Sequence, residues 1–270
     1  MNADQRPMTT ARLQRLKQKG EKIVSLTAYD ATFARLIDEG GVDFVLVGDT
    51  LGMVVQGQET TLPVTLEDVL YHCKMVRRGI KRALLVADMP FLSYQITPEE
   101  ALRNAGRLMK EGGADAVKLE GGTNIAETIR RLVEAGIPVM GHVGMQPMKV
   151  HQYGGYKLQG QRKSQAEAIT ADAEAVQSAG AFAVVLEKIS RGLAKELTAS
   201  LKIPTIGIAS GSDCDGQILV SYDMLGLADQ FNFKFVRRYL NLADDIRSAV
   251  QAYTKDIRTG KFPTNDESFE

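Results

Sequence analysis

Cysteine is scarce in this 270-residue chain, and its two copies, Cys73 and Cys214, stand far apart with no Cys-x-x-Cys pair. That spacing supports neither a disulfide framework nor a thiolate zinc site, and it predicts a reducing, cytoplasmic setting. An excess of charge of either sign is missing too: 33 lysines and arginines balance 33 aspartates and glutamates. Binding to duplex nucleic acid or to a membrane surface usually needs a basic surplus to neutralise phosphates, so neither partner is expected. No stretch approaches the roughly 18 apolar residues of a membrane span, and residues 1–10 lack the apolar core of an export signal. What remains is an ordinary globular composition, 44% hydrophobic and 24% charged. It excludes a wholly disordered, collagen-like or coiled-coil protein.

Short apolar runs rich in β-branched residues recur, each followed by a turn and a longer amphipathic stretch. They predict strands at 23–28, 44–48, 83–87, 116–119, 138–141, 182–186 and 204–208, with helices at 31–39, 66–78, 98–111, 125–135 and 164–179. Residues 39–49 are echoed by 111–121 and more weakly by 178–187: glycine closes a helix, a buried strand follows, and a carboxylate stands where the strand ends. Seven such units in one chain favour a TIM (β/α)8 barrel over a doubly wound sheet, as a single domain over 1–270 with frayed ends at about 1–8 and 264–270. For the eighth strand, 231–236 alternates better than the short run 218–220 and is preferred despite Lys234.

In such a barrel the loops after the strands build the site. The strand ends carry Tyr29 and Asp30, Asp49 and Thr50, Asp88, Lys118 and Glu120, His142, Glu187 and Ser210. Asp49, Asp88 and Glu120 end three consecutive strands. Three oxygen donors with no thiolate or imidazole beside them suit a hard cation, Mg²⁺ first, held directly by Asp49 and Asp88 and through water by Glu120. Lys118 shares a strand face with Glu120 and has three readings: counter-ion for a substrate carboxylate, the favoured one, Schiff-base nucleophile, or structural partner of the acids. Glu187 follows a strongly apolar strand, which would raise its pKa toward that of a general base; the plainer reading pairs it with Lys188 at the surface. His142, flanked by Gly141 and Gly144, is either a buried structural histidine or an auxiliary catalytic group. A metal, a positive counter-ion and a base together fit proton abstraction beside the carbonyl of a 2-oxo acid, giving an enolate. They do not name the electrophile.

The stretches Leu46-Val47-Gly48-Asp49-Thr50-Leu51-Gly52-Met53, Ala87-Asp88-Met89-Pro90-Phe91, Val117-Lys118-Leu119-Glu120-Gly121-Gly122 and Gly141-His142-Val143-Gly144, with 61–65, 153–157 and 215–220, resemble the ketopantoate hydroxymethyltransferase family in order along nearly the whole chain. The resemblance implies a TIM barrel of the phosphoenolpyruvate/pyruvate-like superfamily, assembled as a homo-oligomer, commonly a decamer. It implies that the enolate of 3-methyl-2-oxobutanoate attacks the methylene of 5,10-methylenetetrahydrofolate, giving 2-dehydropantoate and tetrahydrofolate in the cytoplasmic synthesis of pantothenate and coenzyme A. Asp49, Asp88 and Glu120 match the family's Mg²⁺ site; Asp49, Thr50, Asp88 and Lys118 match its oxo-acid site, and Glu187 its proton acceptor. Thr50 stands where the family commonly has serine. Two other readings compete: a different Mg²⁺-dependent 2-oxo-acid aldolase or lyase of the same superfamily, and a non-catalytic barrel that binds an oxo acid or folate.

Overall fold

In a computed structural model, residues 6–270 are described. Eight strands, β1 (Ile23–Thr27), β2 (Phe44–Val47), β3 (Leu84–Asp88), β4 (Ala116–Glu120), β5 (Val139–Gly144), β6 (Ala183–Glu187), β7 (Thr205–Ile208) and β8 (Gly216–Leu219), close in sequence order into an all-parallel barrel. By contact density the chain divides into two compact units: the barrel, which ends at Val220, and Ser221–Glu270. The second unit holds the helices Ser221–Met224 and Leu242–Arg258. At its end Thr264 caps a short 3-10 turn, Asn265–Glu267. The fraying expected of residues 1–5 lies outside the described residues, whereas Met8 is already core and its N–H bonds Arg82 O at 2.7 Å.

Helix starts follow from local chemistry. Asp30 accepts from the N–H groups of Thr32 and Phe33 and so begins the helix Ala31–Glu39. Thr65 and Asp68 cap each other's backbone at the start of Leu66–Gly79, and Thr97 with Pro98 opens Pro98–Lys110. Each device satisfies donors that a helix start leaves unpaired.

Alternation along the strands sends every second side chain into the barrel. The interior is filled by Ile23, Phe44, Leu46, Leu84, Val86, Met140, Val185, Ile206 and Ile218. Leu13, fully buried on the helix Thr10–Lys19, packs into the same cluster. A leucine buried this way contributes about 2 kcal/mol, so the N-terminal helix is part of the core.

The expected eighth strand is corrected. Residues 231–236 form no strand; Phe231, Phe233 and Phe235 stack in succession, with ring centroids 5.6 and 5.4 Å apart. β8, Gly216–Leu219, instead overlaps the short run 218–220. It follows β7 after a seven-residue loop with no helix, so the strand–helix repeat is broken there. Its place is held from both sides, by β1 along four residue pairs and by β7 along two. Gly216 is required: a Cβ there would lie 2.6 Å from Ile23 O. Asp215 pins the approach, its Oδ2 accepting from Thr205 N at 2.8 Å and from Lys17 Nζ at 2.7 Å.

Candidate active site

The strand parity that builds the core also builds the site above it. Two residues beyond Val86 comes Asp88; beyond Ala116 come Lys118 and then Glu120; beyond Met140 comes His142; beyond Val185 comes Glu187. Asp49 lies in the turn after β2, and its N–H donates to Asp88 Oδ2 at 3.2 Å. These six side chains and Thr50 line one cavity open to solvent at its mouth, with Leu46, Val185 and Ile218 among its apolar walls.

Lys118 is the hub. Its Nζ lies 2.9 Å from Asp88 Oδ1, 3.8 Å from Glu120 Oε1 and 3.2 Å from His142 Nδ1. Burial works against the ammonium, but Asp88, Glu120 and Asp49 outweigh it and hold the Lys118 pKa above its ordinary value. A protonated amine engaged this way is a poor nucleophile, which disfavours the Schiff-base reading. Being charged, it donates to His142 Nδ1; the imidazole's own proton then sits on Nε2, 3.2 Å from Glu187 Oε2. Burial, then Lys118, pushes the His142 pKa well down, so the ring is neutral.

The acids are pushed the other way. Burial raises Glu187 to about 7, with Lys118 and Lys188 pulling against it. Burial raises Glu120 to about 8, again opposed by Lys118. Asp49 is raised by burial and by the charges of Asp88 and Glu120. Glu187 does not pair at the surface with its neighbour: Lys188 Nζ donates to Tyr156 O at 2.5 Å, and the Glu187 side chain is only 19% exposed.

A cation has a place here. Asp49 Oδ2 and Glu120 Oε1 are buried with no hydrogen-bond donor, a costly arrangement for carboxylates that a hard cation would relieve. Among the described residues, no group of three or more His, Cys, Asp or Glu side chains is placed to hold a metal ion. An ion here would have to take one or two carboxylates and keep its waters, as Mg²⁺ does.

Part of the expected ring falls away. Asp30 is spent on its helix cap, and the buried Tyr29 meets His72 Nδ1 through its carbonyl at 2.6 Å. Ser210 Oγ donates to Leu186 O at 2.8 Å and so braces the end of β6. Other residues escaped the sequence reading. Tyr94 OH takes the Glu120 N–H at 3.0 Å and donates to Glu120 O at 2.8 Å, while Met148 N donates to Glu120 Oε2 at 3.1 Å. Both come from loops beyond strand ends, where no periodicity marks a contact.

Known proteins resemble this chain along nearly its whole length. The family model described as ketopantoate hydroxymethyltransferase matches residues 7–265. The chain is 55% identical to the 3-methyl-2-oxobutanoate hydroxymethyltransferase of Syntrophotalea carbinolica, covering 98% of this chain and 99% of that one. To the protein of that name from Syntrophus aciditrophicus it is 53% identical, over 98% and 97%. Among solved structures it is similar to 2,3-dimethylmalate lyase, a PEP mutase/isocitrate lyase superfamily member, with a TM-score of 0.61 at 19% identity over 98% and 90% of the two chains. The phosphoenolpyruvate phosphomutase of Streptomyces platensis gives 0.63 at 14% identity over 97% and 92%. At such identities these two structures establish the fold alone, a closed parallel barrel with its helices.

Proposed function

The chain belongs to the ketopantoate hydroxymethyltransferase family, and from that premise we propose how its barrel mouth transfers a hydroxymethyl group to 3-methyl-2-oxobutanoate from 5,10-methylenetetrahydrofolate. The observation that carries the reading is the convergence of Asp49, Asp88, Lys118, Glu120, His142 and Glu187 on one cavity. Mg²⁺, held by Asp49 and Asp88 with Glu120 behind a water, would supply positive charge against the oxygens of the oxo acid. Lys118 adds a fixed positive charge to receive the substrate carboxylate, with the Thr50 hydroxyl beside it. The branched end of the substrate rests against the apolar wall of Val185 and Ile218.

Glu187 takes the single C3 proton. Its pKa near 7 suits the task, since a base works best when its affinity for the proton matches the working pH. His142, neutral and protonated on Nε2, lies beside the Glu187 carboxylate, 3.2 Å from its Oε2. The electron pair left at C3 forms the new carbon–carbon bond to the folate methylene; both of that carbon's bonds to folate nitrogens break, a water supplies its hydroxyl, and the C3 proton with the remaining water proton ends on the two nitrogens, giving 2-dehydropantoate and tetrahydrofolate. A homo-oligomer, a decamer on the family resemblance, belongs to the same proposal.

The test is product formation from the oxo acid and methylenetetrahydrofolate with Mg²⁺ present, in parallel with deuterium exchange at C3 without folate. Both reactions are expected, and both are expected to stop with a chelator. Borohydride trapping of an oxo-acid adduct on Lys118 would replace this mechanism with an aldolase one.

A further inference from the structure

Among the described residues three that are not glycine hold a left-handed backbone, Leu92, Lys188 and Ala209, and two of them stand side by side at the barrel mouth. Glu187 on β6 pairs with Ile208 on β7, and the residue after each turns left-handed, Lys188 at φ 48° and Ala209 at φ 55°. A side chain strains the backbone there, so the conformation persists only where surrounding contacts over-determine it. Lys188 has such a contact at each of its polar groups. Its N–H donates to Ile208 O at 2.9 Å, its carbonyl accepts from Gln159 N at 2.9 Å, and its ammonium donates to Tyr156 O. One strained residue thus closes β6 and fastens the segment 156–159 to it.

What this turn encloses is the base. Glu187 O accepts from Met145 N at 2.8 Å, which ties it to the end of β5. Ser210 Oγ donates to Leu186 O at 2.8 Å and accepts from Ile189 N at 3.2 Å, which ties it to the loop after β7. The Lys188 side chain supplies the third tie, to 156–159. Tyr156 OH in turn lies 3.6 Å from Met53 Sδ, on the helix Leu51–Val54 that follows Thr50, so the same segment reaches the other side of the mouth. Because the ammonium is turned to Tyr156 O, it leaves the neighbouring carboxylate of Glu187 free to accept a proton.

Resting on the proposed proton abstraction by Glu187, we propose that Lys188 is a positioning residue for that base: its left-handed turn and its bond to Tyr156 O together set where the carboxylate meets C3 of the oxo acid. The oxygens of the oxo acid are received elsewhere in the cavity, by Lys118 and the Mg²⁺ carboxylates. Lys188 therefore governs the rate of proton removal and not the affinity for the oxo acid.

Deuterium exchange at C3 by the full-length enzyme, with Mg²⁺ and without folate, tests this on three variants. Lys188→Met keeps the length of the side chain and loses its donor. Its kcat for exchange should fall about tenfold, with KM for the oxo acid changed by less than about twofold, because a small misplacement of a base costs rate before it costs binding. Lys188→Gly relieves the strained φ but loses the same donor, so it should melt no lower than Lys188→Met and yet exchange no faster. Lys188→Arg restores a cationic donor and should bring kcat back to within about threefold of wild type. All three should keep the wild-type thermal shift with Mg²⁺, which certifies a folded barrel mouth. A wild-type kcat in Lys188→Met, a rise in KM that matches the fall in kcat, exchange that follows melting temperature from Met to Gly, no recovery in Lys188→Arg, or a lost Mg²⁺ shift would each leave Lys188 a purely structural residue while the transfer stands. If wild type itself exchanges no C3 proton, the transfer reading fails and takes the positioning role with it.

Discussion

Glu187 is asked to hold a carboxylate in a nearly dry place and still ionise, and its pKa near 7 is the compromise. Only the ionised form removes a proton, so the rate of C3 exchange should rise with pH through about 7 and level off above it. Replacement with glutamine removes the base while keeping the shape, and exchange should fall by a factor of about 100 or more. Exchange at the wild-type rate in that variant would exonerate Glu187. Asp49 illustrates the opposite side of a functional residue. Its carboxylate is buried beside Asp88 and Glu120 with Oδ2 unsatisfied, so without metal it is a liability to the fold. Asp49→Asn should raise the melting temperature of the metal-free protein by about 2 °C. The same change should abolish the thermal shift given by Mg²⁺ and cut turnover about 100-fold. Glu187 was legible in the sequence because it sits a two-residue step past the apolar core position Val185, and Asp49 because it stands in the turn where the apolar strand β2 ends. Tyr94 and Met148 were not, since a loop carries no such period and their contacts to Glu120 depend on where the chain folds back.

At the scale of elements, the same periodicity accounts for seven of the eight strands, and its failure at the last is informative. A reading built on alternation prefers 231–236 and sets aside the short run 218–220, which overlaps the strand Gly216–Leu219 that closes the barrel. What places β8 is long-range: the close approach of Gly216 to β1 and the bonds of Asp215 to Thr205 and Lys17. Gly144 is a comparable local requirement with a catalytic consequence. It ends β5 at φ 95°, and a Cβ there would lie 2.4 Å from Glu187 O and 2.6 Å from Ile189 Cγ2. Gly144→Ala should therefore push the ends of β5 and β6 apart, costing about 3 kcal/mol or more, and misplace the base. Gly136, at φ 86° with nothing within 4 Å of a built Cβ, is the control. Gly136→Ala should cost about 1 kcal/mol from backbone strain alone, with activity retained. Urea unfolding of the pair, read beside C3 exchange, separates strain from displacement; equal losses in both would deny Gly144 its special role.

Over the whole molecule a formal charge of zero conceals a local excess: Asp49, Asp88, Glu120 and Glu187 share one cavity with the single ammonium of Lys118. This imbalance sets how stability responds to pH. An acid whose pKa is raised by folding binds its proton more tightly in the native state, so its stabilising effect is present below the unfolded value and is lost as pH climbs through the folded one. For Glu120 and Glu187 that loss runs from the ordinary value of 4.5 up to about 8 and about 7. His142, with a lowered pKa, acts in the opposite sense below its ordinary value of 6.5, because there only the unfolded chain takes up the proton. Lys118 stays protonated in both states throughout this range and adds no slope. The unopposed decline therefore falls between about pH 6.5 and 8, and the metal-free protein should lose on the order of 5 °C in melting temperature across it. A divalent cation replaces those protons and binds only the folded state, so excess Mg²⁺ should flatten the decline and give its largest thermal shift at the alkaline end. Differential scanning calorimetry at several pH values, with chelator and with excess Mg²⁺, checks the sign directly. A metal-free protein that grows more stable from pH 6.5 to 8, or a Mg²⁺ shift that is largest in acid, would mean that these carboxylates do not meet at one site.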